Sequence, residues 1–120
     1  MANPDFKPAV TIFVLLKTSP EWLGFSPDER FARLGPILHD DLIARRDSLR
    51  MRFFDTEFYA TRVTDVMMIE ARDHHSWELF AERLRETPFW DRWFEIVEIL
   101  PAVENAYADN YGRQPIGQAA

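Results

Sequence analysis

Leu49-Arg50-Met51-Arg52-Phe53 alternates apolar and cationic side chains, the period-two pattern of a strand whose two faces meet different surroundings. A sheet built on such a strand packs helices against its apolar side and leaves the other side open. Downstream, Thr56 to Ala60 reads as a connection and Thr61 to Ala71 as a second long strand, so the two runs form an antiparallel hairpin without a glycine turn. Upstream, Ser26-Pro27-Asp28-Glu29 has the cap, the first-turn proline and the acidic third residue of a helix start. Phe31, Leu34, Leu38 and Leu42 then recur at helical spacing toward Ala44, with Gly35-Pro36 interrupting the run. Further back, Val10 to Leu16 is apolar at both parities, as expected for a central strand. Between them, Thr18 to Phe25 reads as a loop that tucks in Trp22 and Phe25.

Beyond the hairpin, Asp73 caps a second helix with Trp77, Phe80, Ala81 and Leu84 on its inner stripe. Trp93 to Leu100 fits a helix or a strand. Its β-branched Ile96, Val97 and Ile99 favour a strand, ended by Pro101. The order strand, helix, strand, strand, helix, strand predicts an α+β, ferredoxin-like βαββαβ domain over residues 1–104, with both helices on one face of a four-stranded antiparallel sheet. Residues 105–120 are read as a C-terminal extension, partly mobile.

The chain has 120 residues, 47% hydrophobic and 14% aromatic, enough for one core and too few for two. Its net charge of −6 repels phosphate backbones and anionic lipid, so neither nucleic acid nor membrane is an expected partner. Without cysteine it has no disulfide, thiolate nucleophile or cysteine-ligated metal. The apolar run at Val10–Leu16 is far short of the roughly 20 residues a bilayer crossing needs. A cytoplasmic protein is expected.

Parity assigns Thr11, Phe13, Leu15, Lys17, Arg50, Arg52, Phe54, Thr64, Val66, Met68 and Glu70 to the open face, joined by Glu95 or Glu98 according to the register of the last strand. A mixed patch of this size calls for a cover, and a second copy related by a two-fold axis is the simplest one. A homodimer is therefore expected.

The stretch Arg52-Phe53-Phe54-Asp55-Thr56-Glu57-Phe58-Tyr59-Ala60-Thr61-Arg62-Val63-Thr64-Asp65-Val66 resembles the darcynin family. Thr11 to Thr18, Pro20-Glu21-Trp22-Leu23 and Phe94 to Pro101 share the resemblance. The family is small and largely uncharacterised. The resemblance implies the architecture of the dimeric α+β barrels, some of which are cofactor-free oxygenases or isomerases.

Five charges, Arg52, Asp55, Glu57, Arg62 and Asp65, surround the hairpin and can order it by ion pairing. Alternatively, Arg52 with Arg50 and Lys17 anchors the carboxylate or enolate of a small organic substrate. Glu70 and Glu98, held in an apolar cavity, are candidates for acid–base work beside Arg52. Phe13, Phe54, Trp22 and Tyr59, with Arg62 and Asp65, are candidate substrate-binding residues. His39-Asp40-Asp41 and His74-His75 with Glu78 lack the spacing of a metal motif, and no phosphate loop or nucleophile elbow is present. No metal or cofactor is expected. The leading expectation is a cofactor-independent isomerase or cyclase. A non-catalytic metabolite-binding or dimeric interaction module and a cofactor-free monooxygenase are the alternatives.

Overall fold

A computed structural model describes residues 5–117. The strands β1 (Val10–Thr18), β2 (Leu49–Asp55), β3 (Asp65–Ala71) and β4 (Phe94–Ala102) form one antiparallel sheet in the order β2-β3-β1-β4. That order is the ferredoxin-like one. Between β1 and β2 run α1 (Pro20–Leu23), α2 (Pro27–Leu34), a π-helical turn (Gly35–His39) and α3 (Asp40–Ala44). The helix α4 (His74–Arg85) links β3 to β4, and α5 (Ala106–Asn110) follows β4.

Alternation in the strands sorts the side chains as expected. Val10, Ile12, Val14 and Leu16 of β1 are buried, as are Met67, Ile69 and Ala71 of β3, and they pack with Leu49, Phe80, Leu84, Phe89 and Phe94 in one core. Register pairs Ile12 with Ile69 and Val14 with Met67, so this side of the sheet is continuous across strands. On the other side Thr11 pairs with Glu70, Phe13 with Met68 and Leu15 with Val66, while Arg50 and Arg52 pair with Glu70 and Met68.

The Ser26 capping box is formed, with the Glu29 backbone N–H donating to the Ser26 hydroxyl at 3.2 Å and the Ser26 N–H donating to the Glu29 carboxylate at 3.0 Å. Asp73 caps α4, accepting from the Ser76 N–H at 2.8 Å and from the Ser76 hydroxyl at 2.7 Å.

Four expectations are corrected. The segment Thr18 to Phe25 contains a helical turn, α1, because Ser19 caps it and Pro20 suits its first position. The second hairpin strand begins at Asp65 rather than Thr61. The Thr56 hydroxyl donates to the Val63 carbonyl and the Thr56 N–H to the Thr64 carbonyl, closing off residues 57–62 as a loop. Pro101 does not end β4. It pairs with Ile12 on an edge strand, where a missing N–H costs no ladder bond. Finally Phe31, placed on the buried stripe by its spacing, is 79% exposed. In the C-terminal extension, Ala106–Asn110 is helical with Ala108 buried; residues 118–120 lie outside the described residues. Among the described residues no helix is long and apolar enough to cross a membrane.

Candidate functional site

The misplaced Phe31 marks the site. Helix α2 carries an apolar stripe yet has no buried residue: Leu34 packs partly against the core, and Phe31 stands exposed beyond it. From Pro27 to Arg46, residues at three- and four-residue spacing, including Phe31, Leu34, Leu38 and Leu42, form one wall of an open groove of about 1460 Å³. The opposite wall is the edge strand β2 with part of β3, which present Leu49, Met51, Phe53, Asp55 and Asp65. Phe53 and Ile43 are likewise exposed to it. The groove laps over the free edge of β2 to reach Arg50, Arg52 and Glu70 on the far side. The π-helical turn at Gly35-Pro36 sits midway along the helical wall, where the proline cannot donate a ladder bond.

One end of the groove holds two carboxyl groups. Asp55 and Asp65 are cross-strand partners on the helix-facing side, in register with Leu16. Asp65 is buried among core residues. Its Oδ2 accepts from the Thr64 hydroxyl at 2.7 Å. That hydroxyl itself accepts from the Thr18 backbone N–H at 2.9 Å, which fixes its direction. Burial pushes the Asp65 carboxyl up to about 6, against the Thr64 hydroxyl, which favours the charged form. A hydrogen bond to Asp55 and the negative charges of Asp55 and Glu57 add to the rise. Asp65 therefore keeps its proton above the ordinary carboxylate range. Such a carboxyl can give or take a proton near neutrality. Trp22 lies at this end, buried against Trp93 at 5.3 Å and Phe94 at 5.0 Å between ring centroids.

The residues singled out from sequence divide between the two faces. Asp65 and Trp22 line the groove on the helix side. Arg50, Arg52, Glu70, Phe13, Phe54, Lys17 and Glu98 are on the open face. There Arg50 approaches Glu70 at 3.4 Å and stacks on Phe6, while Arg52 stacks on Phe54 at 5.2 Å. Lys17 donates to the Thr61 carbonyl at 2.8 Å. A bulge at Val97 puts both Glu95 and Glu98 on this face, opposite Lys17 and Leu15. Arg52 and Glu70 are diagonal neighbours, but Glu98 stands across β1 and four residues further along, roughly 16 Å from Glu70 by strand spacing. The three carboxylate and guanidinium groups proposed for catalysis therefore do not converge within one chain. Tyr59 and Arg62 are exposed on the loop that follows β2. Sequence pattern put Phe31 and Phe53 on the core side and Asp55 among the hairpin's ion pairs, so none of them was assigned to a site. The available signal was register: once Leu49 pairs with Ala71, Asp55 must face Asp65. Among the described residues no three histidine, aspartate or glutamate side chains gather as metal ligands.

Residues 1–120 match the family described as darcynin, a domain of unknown function. The chain belongs to the darcynin family. A darcynin homolog of Granulibacter bethesdensis is 62% identical over 113 residues, spanning 94% of this chain and 91% of its own. A second, from Streptomyces avermitilis, is 47% identical, spanning 97% of this chain and 96% of its own. Among solved structures, a single-site variant of the chlorite dismutase from Candidatus Nitrospira defluvii superposes with a TM-score of 0.69 at 11% identity, over 84% of this chain. A candidate chlorite dismutase superposes with a TM-score of 0.65 at 19% identity, over 82%. The darcynin chain spans only 42% and 43% of those two proteins. At such identities the likeness is one of fold, that of the dimeric α+β barrels.

Proposed function

We propose that this darcynin is a small-molecule enzyme performing acid–base chemistry, an isomerisation or cyclisation, in the groove between α2 and the β2 edge. The observation that carries the reading is the facing carboxyl pair Asp55 and Asp65, with Asp65 raised to about 6, at the end of a groove whose helical wall leaves Phe31 and Ile43 exposed. In its charged form the Asp65 carboxylate takes a proton from a carbon next to a substrate carbonyl. The C–H pair becomes the enolate, and the carboxyl returns the proton at a second position, so no other reagent is consumed. The apolar walls favour this, because a partly desolvated carboxylate is a stronger base than one in water. The open face is reserved in this reading for a second copy of the chain, with Arg50 and Glu70 tuning the pairing.

A generic probe of a buried base tests the proposal without knowledge of the natural substrate. 5-Nitrobenzisoxazole is planar and neutral and opens on loss of one carbon-bound proton. The protein should accelerate its opening above an equal concentration of acetate, with a rate that rises through about pH 6 as Asp65 ionises. Asp65→Asn should remove the acceleration while Glu98→Gln leaves it. A rate no better than acetate, or one untouched by Asp65→Asn, counts against the reading.

A further inference from the structure

The helical wall of the groove is sorted by charge. Between Pro27 and Arg46 lie four acids, Asp28, Glu29, Asp40 and Asp41, and none of them lines the groove, whereas Arg30, His39 and Arg46 do. Arg30 is committed, its guanidinium donating to the Trp22 carbonyl at 3.2 Å and the Leu23 carbonyl at 2.9 Å. Arg45 is committed to Asp41 at 2.9 Å. Arg46 is half-buried and donates to the Ile43 carbonyl at 3.0 Å, but no carboxylate pairs with it among the described residues. His39, at the end of the π-helical turn seven residues earlier, also lines the groove.

Arg46 stands at the opposite end from the acid pair. Arg46 lies just before Leu49, where β2 begins, and Asp55 is where β2 ends. Seven residues of strand separate the two polar ends by roughly 20 Å, with Phe31, Leu34 and Phe53 between them. At that separation, twice the Debye length in ordinary buffer, the acid end does not cancel the attraction at Arg46 but does repel an anion placed beside it.

We infer that the groove takes an elongated organic anion, its carboxylate held by Arg46, its apolar body along Phe31 and Phe53, and its reacting end at Asp55 and Asp65. The inference rests on the acid–base reading for the role of the far end, but it is tested by binding alone. Long-chain carboxylates present the required shape, and the charge sorting sets which way round they lie.

The probe is cis-parinaric acid, a fluorescent long-chain carboxylate, compared with its neutral methyl ester. The wild-type protein should bind the acid about tenfold more tightly than the ester, the scale of one charge-assisted hydrogen bond. Arg46→Gln should erase that preference by weakening the acid alone, and Phe31→Asp should weaken both. The proposal is overturned if acid and ester bind alike, if Arg46→Gln weakens them equally or not at all, or if Phe31→Asp leaves both unchanged. Asp65→Asn should keep the preference, so loss of proton abstraction and loss of anion recognition are separate results.

Discussion

At the scale of single residues, Asp65 carries the proposed chemistry and also a cost. A carboxyl whose pKa is raised on folding binds its proton more strongly in the folded chain than in the unfolded one. Stability is therefore undiminished below the ordinary value of 3.8 and falls as pH rises from there to about 6. The loss is on the order of 2 kcal/mol, allowing for screening through the open groove. Asp65→Asn removes the repulsion with Asp55 and can keep the acceptor for the Thr64 hydroxyl. Urea unfolding at neutral pH should show the variant more stable than wild type by about 1 to 2 kcal/mol, with the difference fading as pH is lowered past about 4. A variant that is less stable at every pH would mean that Asp65 is held by favourable contacts rather than strained by burial. Glu21 and Arg92 offer the contrast: their two-pronged contact, with distances of 2.8 to 3.2 Å, lowers the glutamate's pKa, so that it behaves as an ordinary exposed ion pair.

Among the elements, the stretch from α2 to α3 shows why the groove escapes a reading of pattern alone. Its stripe of Phe31, Leu34, Leu38 and Leu42 has the spacing of any core-facing helix, but only Leu38 is buried. Phe31→Ala should therefore change stability by less than about 0.5 kcal/mol, while Leu38→Ala, which opens a cavity against the core, should cost about 2 to 4 kcal/mol in the same thermal or urea measurement. Equal costs would place Phe31 in the core after all. The period of a stripe records that a face is apolar and not what covers it, so a ligand groove and a packed core look the same in sequence. The two-faced sheet was legible because alternation along Leu49-Arg50-Met51-Arg52-Phe53 depends only on the pleat. The acid pair was half legible. Asp65 stood out, but Asp55 was absorbed into a cluster of mixed charges whose simplest reading is mutual ion pairing. The bulge at Val97 left no mark at all, since an extra residue between Ile96 and Glu98 breaks no propensity.

For the whole molecule the unresolved pressure is the open sheet face. Phe13, Leu15, Val66 and Met68 are half-buried there and Phe54 and Leu100 are exposed, forming an apolar centre with Arg52, Glu95 and Glu98 around it. Arg50 is tied to Glu70 and Phe6, yet its Nε is buried without an acceptor among the described residues. The radius of gyration, 16.0 Å, exceeds the roughly 13.5 Å of a compact chain of this length. The loop of residues 56–64 and the segment beyond β4 add exposed Phe58, Tyr59, Tyr107 and Tyr111 to the surface that a neighbour would cover. A monomer that leaves this much apolar surface in water is disfavoured, and a two-fold pairing of sheets covers it with the same surface on both partners. Sedimentation equilibrium at micromolar concentration should accordingly give about twice the chain mass of 14.2 kDa. Val66→Glu places a charge at the centre of the face, opposite Leu15 and Phe54, where it would have to be desolvated on pairing. It should yield a folded monomer with unchanged circular dichroism, whereas Phe31→Asp, in the groove on the other side of the sheet, should leave the pair intact. A wild-type protein that sediments at the chain mass would mean that the face is covered by something other than its own copy.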